Sequence, residues 1–159
     1  MPMLTMAEPF RILRSCPEDA GALTSIAFAA KRHWGYPESW IQQWESELTL
    51  TSEYVAANPT YEAVAGEEIV GFCAVLIRPG AAVLDHLWVL PAAMRRGVGR
   101  ALFERAEQAA RAAGASCLRI VGDPHAEEFY RRMGAAVTGL KPAPMDGHPR
   151  FLPVLEKPL

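Results

Sequence analysis

The amino-acid sequence predicts an α/β (α+β) fold: a mixed, mostly antiparallel sheet of about seven strands with four flanking helices. Three observations carry this. The β-rich runs between Thr60 and Leu90 are separated only by Gly66-Glu67-Glu68 and Pro79-Gly80, connections so short that the neighbours must be antiparallel. Ala81–Val121 reads as strand, helix, strand, and a helical crossover of that kind returns the chain parallel. The front third keeps a helical period instead. With 159 residues, half of them hydrophobic, the chain has the size of one domain around one core, so residues 1–159 are read as a single unit.

Taken in order, residues 1–9 form an unpatterned lead, and Phe10–Leu13 reads as a short strand closed by Ser15-Cys16-Pro17. Pro17 suits a first helical turn, whose missing amide costs nothing there. Leu23, Ile26, Ala27 and Ala30 continue that helix, and Lys31–Pro37 interrupts it. Trp40, Ile41, Trp44 and Leu48 then share one stripe of a second helix. Three strands follow, Thr60–Ala65, Ile69–Arg78 and Ala81–Leu90, the last ended by Pro91. Gly97–Ala113, rich in alanine and stopped at Gly114, is the longest helix. Cys117–Val121 is nearly all apolar, as in a strand covered on both faces. Asp123-Pro124 caps a helix with Ala126, Phe129, Tyr130 and Met133 on one stripe, ending at Gly134. Ala135–Leu140 and Phe151–Glu156 complete the sheet around the loop Lys141–Pro149.

Composition narrows the partners. The net charge of −2 provides no global field to attract nucleic acid or an anionic membrane. No basic leader precedes a long apolar run, and no stretch reaches the roughly 20 apolar residues that span a bilayer. Cys16, Cys73 and Cys117 stand far apart in apolar surroundings, which fits a reduced, cytoplasmic setting. The histidines at 33, 86, 125 and 148 lack ligand spacing, so no metal is expected.

The chemically informative segment is a strand ending at Val89-Leu90-Pro91, a loop with Arg95 and Arg96, and Gly97-Val98-Gly99-Arg100 opening a helix. A helix N-terminus leaves amides unpaired, its dipole adds partial positive charge, and glycine lets an anion approach the backbone. On spacing alone, these glycines could equally serve a tight strand-to-helix turn with the arginines as a solvated cap. A P-loop would need Gly-Lys-Ser/Thr where Gly99-Arg100-Ala101 stands. A dinucleotide fingerprint would need glycine where Leu102 stands.

Leu87-Trp88-Val89-Leu90-Pro91, followed by Arg95-Arg96-Gly97-Val98-Gly99-Arg100, resembles the acetyl-CoA-binding segment of the GCN5-related N-acetyltransferase (GNAT) superfamily, Gln/Arg-x-x-Gly-x-Gly/Ala. Asp123–Ala135 is similar to the second signature of the same family, Asn-x-x-Ala-x-x-Phe-Tyr-x-x-x-Gly-Phe. Two signatures in the right order are more specific than either alone, and the predicted elements agree over Phe10–Glu156. The departures are Met94 for Gln/Arg, Asp123 for Asn and Ala135 for the aromatic.

The resemblance implies an acetyl-CoA-dependent N-acetyltransferase acting on a primary amine of a small molecule or peptide, without a covalent enzyme intermediate. Amides of Arg95, Arg96, Gly97, Val98, Gly99 and Arg100 would hold the pyrophosphate, and the backbone of Leu87, Trp88 and Val89 would pair with pantetheine as a pseudo-strand. The central strand would therefore splay from its parallel neighbour, and a bulge or splay there would aim a backbone amide at the thioester carbonyl. Tyr130 matches the tyrosine that donates a proton to the departing thiolate, although periodicity alone reads Phe129 and Tyr130 as core aromatics. Asp85, two residues before Leu87, would share its face by the period-two rule and deprotonate the amine; the plain alternative is a buried carboxylate tied to backbone amides. His86 would take the opposite face unless a bulge intervenes. Trp34 and Tyr36 would shape the acceptor pocket, with Trp40 and Trp44 as readily in the core, and Lys141–Pro149 would be its opposite wall or a surface loop. Many relatives form dimers, so a homodimer is allowed. The rivals are a non-catalytic CoA-binding regulatory or interaction domain of the same fold and a phosphate-ligand enzyme of another kind, the latter disfavoured by the missing P-loop lysine and magnesium carboxylates.

Overall fold

The computed structural model describes residues 9–159. Apart from Pro9, the lead assigned to residues 1–9 lies outside the described residues. One seven-stranded sheet contains β1 (Phe10–Arg14), β2 (Thr60–Ala65), β3 (Glu68–Arg78), β4 (Ala81–Val89), β5 (Cys117–Val121), β6 (Ala136–Pro142) and β7 (Phe151–Pro158). Its spatial order is β1-β2-β3-β4-β5-β7-β6. Every neighbouring pair is antiparallel except β4–β5, the pair joined by the helical crossover.

The helices are α1 (Ala20–His33), α2 (Glu38–Gln43), α3 (Glu45–Leu48), α4 (Ser52–Ala57), α5 (Val98–Ala112) and α6 (Glu127–Arg132). The expected second helix is therefore two short ones, because Trp44 leaves helical geometry (φ −89°, ψ 5°) between α2 and α3. The helix α4 adds a further element, started by Thr51, whose hydroxyl accepts from the Tyr54 amide at 3.0 Å. This makes six flanking helices among the described residues where four were expected.

Two apolar layers sandwich the sheet. On one face α5 buries Val98, Leu102, Phe103, Ala106 and Ala110, a stripe at helical spacing, against Cys73, Leu84, Leu118 and Ile120. Full burial of Phe103 alone contributes about 2 kcal/mol. On the other face Leu23, Ile26, Ile41, Leu48 and Val55 pack over Phe72. The strand β5 corrects the expectation of double coverage: Leu118 and Ile120 are buried, whereas Arg119 and Val121 are exposed. The reason is the reach of α1, which packs chiefly over β3 and β4.

The site is prepared by an irregularity in β4. Ala74 pairs with His86 and Val75 with Leu84, so Asp85 is the extra residue of a bulge. Pairing of β4 with β5 runs only from Ala82↔Leu118 to Leu84↔Ile120 and stops there. Beyond the bulge the two strands diverge. Gly71, opposite Val89 on β3, allows the close fit behind this region, since a Cβ there would lie 2.9 Å from the Trp88 carbonyl and 3.2 Å from Val98 and Leu102.

A buried ion pair ties α1 to the turn before α6. Lys31 Nζ donates to Asp123 Oδ2 at 2.8 Å, with side chains 11% and 9% exposed. At Asp123, burial pushes the pKa upward, but the charge and hydrogen bond of Lys31, with the backbone and side-chain hydrogen bonds of His125, hold it down at about 2. At Lys31 burial outweighs the attraction of Asp123, and its pKa is lowered.

Two predictions follow from this packing. Gly71→Ala should destabilise the fold by about 1–3 kcal/mol in urea unfolding, as overpacking does; an unchanged midpoint would show that β4 moves freely. Asp123 has a depressed folded pKa, so its stabilisation is present above the ordinary aspartate range and is lost as pH falls through about 2. The stability difference between the wild type and Asp123→Asn should therefore shrink by about 2 kcal/mol between pH 6 and pH 2, whereas a constant difference would contradict the buried pair.

Candidate active site

After β4, the chain makes one short turn at Pro91–Ala93 and enters the loop that opens α5. Arg95 (φ 64°) and Gly97 (φ 83°) are left-handed, so successive amides turn toward a common side in the manner of an anion nest. None of the amides from Arg95 to Arg100 donates to a backbone carbonyl among the described residues. The side chains of Arg95, Arg96 and Arg100 are exposed, and none pairs with a carboxylate among the described residues. The result is a concentrated site for negative charge at the start of a fifteen-residue helix. Gly99 packs beneath Phe129 of α6, whose ring would lie 3.3 Å from an added Cβ.

The loop opens into a cleft of about 1440 Å³. Leu87, Trp88, Val89, Met94, Arg95, Gly97, Gly99 and Arg100 line it; Arg96 and Val98 do not, Val98 being buried in the α5 core. Leu90 donates its amide to Val70 of β3 at 2.8 Å. Backbone direction alternates along a strand, so Leu87 and Val89 turn their N–H and C=O groups away from β3, into the gap left by β5. That gap is an unpaired strand edge inside the protein.

Tyr130 reaches the same cleft from α6. Its ring packs against Phe103 and Phe129, with centroids 6.1 Å and 5.3 Å away, so it is at once a core aromatic and a cleft residue. Gly122 makes room for it, because a Cβ there would approach the ring to 3.0 Å. Its hydroxyl has no hydrogen-bond partner among the described residues. Burial, then the charges of Asp123 and Cys73, raise its pKa, so the phenol keeps its proton at neutral pH.

The bulge corrects the placement of Asp85. Leu84 and Leu87 both face the α5 core, so the period-two rule fails between them and Asp85 does not share the face of Leu87. Its side chain is 35% exposed in the cleft, accepts a short hydrogen bond from Tyr54 Oη at Oδ2, and lies 3.6 Å from His86 Nε2. It is not the carboxylate tied to backbone amides that was the alternative. Trp88 Nε1 donates to His86 Nδ1 at 3.0 Å, which occupies that nitrogen and leaves the ring proton on Nε2, facing Asp85. Burial lowers the His86 pKa despite Asp85, so the imidazole is neutral at pH 7. Burial and Asp85 together raise the Tyr54 pKa and keep it a donor.

The far end of the cleft is built from α1, the turn before α6 and the loop before β7. Trp34 lines it and stacks on His125 at 4.8 Å with an interplanar angle of 7°. Tyr36 corrects its expected role: it is not a lining residue, and its hydroxyl is bound to Asp123 Oδ2 at 3.0 Å behind the wall. Trp44 is buried and packs edge-on against Tyr36. The loop after β6 contributes Ala143, Pro144, Met145 and Arg150 to the lining, and Gln43 holds it through Asp146 at 3.1 Å. Lys31, Tyr54 and Arg150 were not singled out from the sequence. They come from three separate elements and belong to no local pattern, whereas His86 was named only as the neighbour of Asp85. Among the described residues, no three His, Cys, Asp or Glu side chains gather as for a metal, and no helix is long and apolar enough to cross a membrane.

Comparison with solved structures finds the same fold. The chain superposes on the GCN5-related N-acetyltransferase from Rhodopseudomonas palustris with a TM-score of 0.75 at 23% identity, covering 100% of both chains. For the PaiA N-acetyltransferase from Thermoplasma acidophilum, solved in complex with coenzyme A, the values are 0.75 and 20%, covering 95% of this chain and 99% of that one. For the ribosomal-protein-S18-alanine N-acetyltransferase from Escherichia coli they are 0.71 and 18%, covering 94% of each. At such identities these likenesses establish the fold. No curated protein matches the chain. The model of the acetyltransferase (GNAT) family matches residues 22–135, most of the chain, and the protein therefore belongs to that family.

Proposed function

We propose that this protein transfers an acetyl group directly from acetyl-CoA to a primary amine of a small molecule or peptide. The observation that carries this reading is the run of unpaired amides from Arg95 to Arg100 beside a strand edge opened by the Asp85 bulge. The amides and the three arginines fit a diphosphate, and the free edge of Leu87 and Val89 fits a ligand arm that carries amides. Both lie in one cleft. Structural likeness to a fold solved with coenzyme A supports the same ligand here.

Bound acetyl-CoA supplies the electrophilic thioester carbonyl. Asp85 receives the proton of the incoming ammonium, since its carboxylate is open to the cleft and Tyr54 holds it in place. His86 is no competing base: its only basic nitrogen is engaged by Trp88, and its remaining proton faces Asp85. It positions Asp85 with Tyr54. A backbone amide on the free edge at Leu87 or Val89 stabilises the developing oxyanion. Tyr130, protonated and without a competing acceptor, donates to the departing sulfur. The reaction proceeds through a ternary complex, with no acyl group on the protein.

Calorimetry with CoA and assays of CoA release over an amine panel test this reading together. Gly97→Val, which forces a branched side chain into the left-handed region, should weaken CoA binding on the order of 10-fold or more; full affinity would remove the loop from the proposal. Tyr130→Phe should lower kcat on the order of 100-fold with CoA affinity unchanged, and Asp85→Asn should behave similarly. Wild-type kcat in either variant would exclude that residue from proton transfer. Radiolabelled acetyl groups retained by the isolated protein would contradict direct transfer.

A further inference from the structure

We infer that the acceptor is an amine that also carries a carboxylate, and that Arg150, backed by Lys31, binds the carboxylate. The inference rests on the transferase reading above and names the substrate class of the same cleft. Arg150 lines that cleft while its side chain is only 12% exposed. A guanidinium offers five N–H donors. Arg150 spends one on Tyr36 Oη, at a long 3.4 Å, and its nearest carboxylate oxygen, Asp123 Oδ2, is 3.7 Å away. Its remaining donors have no protein acceptor among the described residues. The group is nonetheless held in place, over the rings of Trp44 at 4.9 Å and Tyr36 at 5.3 Å.

Asp123 does not neutralise this site. It already takes Lys31 at 2.8 Å, the Tyr36 hydroxyl at 3.0 Å, and the amide and Nδ1 of His125 at 2.9 Å and 2.8 Å. The wall therefore contains Lys31 and Arg150 against one buried carboxylate, a surplus of one positive charge in a poorly solvated place. The carboxylates Glu47 and Glu128, and Lys141 of the opposite sign, also line the cleft, but all are exposed and screened by water. A single surplus charge presented by a planar fork fits a carboxylate.

The acceptor's amine belongs at the opposite sign. Asp85 lies in the same cleft, and Trp88 stands between the two ends, its ring 6.0 Å from Lys31 Nζ and its indole N–H on His86. A cleft with a cation at one end and a carboxylate at the other selects a zwitterion, and it repels polyamines from the Arg150 end.

The test compares matched probes with the purified protein: L-amino acids, the corresponding amino acid amides, and the decarboxylated amines. The expected result is a kcat/KM on the order of 10- to 100-fold higher for the carboxylates. Arg150→Met should erase that preference and Arg150→Lys should keep part of it, with CoA binding by calorimetry unchanged in both. Equal use of amides and acids, a preference that survives Arg150→Met, or no turnover of any carboxylate probe while CoA still binds would each overturn the acceptor class and leave the cofactor reading intact. Absence of CoA binding to the wild type would instead overturn the transferase reading, and this inference with it.

Discussion

The whole site depends on β4 ceasing to pair with β5 after Leu84. A parallel neighbour that continued would consume the N–H and C=O groups of Leu87 and Val89 and close the cleft. The bulge at Asp85 prevents this by turning the strand and resetting which face each residue meets. Leu84 and Leu87 both remain in the α5 core, so the irregularity does not expose apolar surface there. The same event puts Asp85 in the cleft and brings His86 and Trp88 to the α1 side, where one indole hydrogen bond settles the imidazole tautomer. Open strand edge, candidate base and its support are thus products of one extra residue.

The second requirement is that α5 begin without internal partners for its first amides. Left-handed backbone at Arg95 and Gly97 turns the loop so that those amides face outward together, and the stripe from Val98 to Ala110 anchors the helix against the sheet. The burial of that stripe offsets the cost of a positive-φ arginine. Two glycines outside the loop contribute by omission: Gly71 leaves space for the Trp88 carbonyl, and Gly122 leaves space for the Tyr130 ring. The candidate anion site, the free strand edge and the phenol are therefore held by core packing rather than by surface loops.

Much of this was legible in the sequence wherever a signal was local. The turns at Gly66-Glu67-Glu68 and Pro79-Gly80 bounded the strands closely, and the Gly97–Ala113 pattern gave α5 to within a residue at each end. The seven-stranded mixed sheet and the family followed. What escaped was non-local or irregular. A period-two rule put Asp85 beside Leu87 because a bulge is set by pairing with β3, which one strand does not reveal. Trp40 to Leu48 read as one helix because its apolar spacing continues through the break at Trp44. The apolar run Cys117–Val121 gave no hint that one face of it is left exposed at Arg119 and Val121. Lys31, Asp123 and Arg150 meet only through the fold, and Tyr36, read as a pocket wall, is the residue that braces them.

In the proposed function, the amides at the start of α5 and the open edge of β4 grip one ligand. Amide chemical shifts followed by NMR during titration with CoA test it most directly. The largest perturbations are expected at Arg95 to Arg100, with Leu87 and Val89 moving at the same ligand concentrations. Saturable binding that left those amides unmoved while shifting others would contradict it.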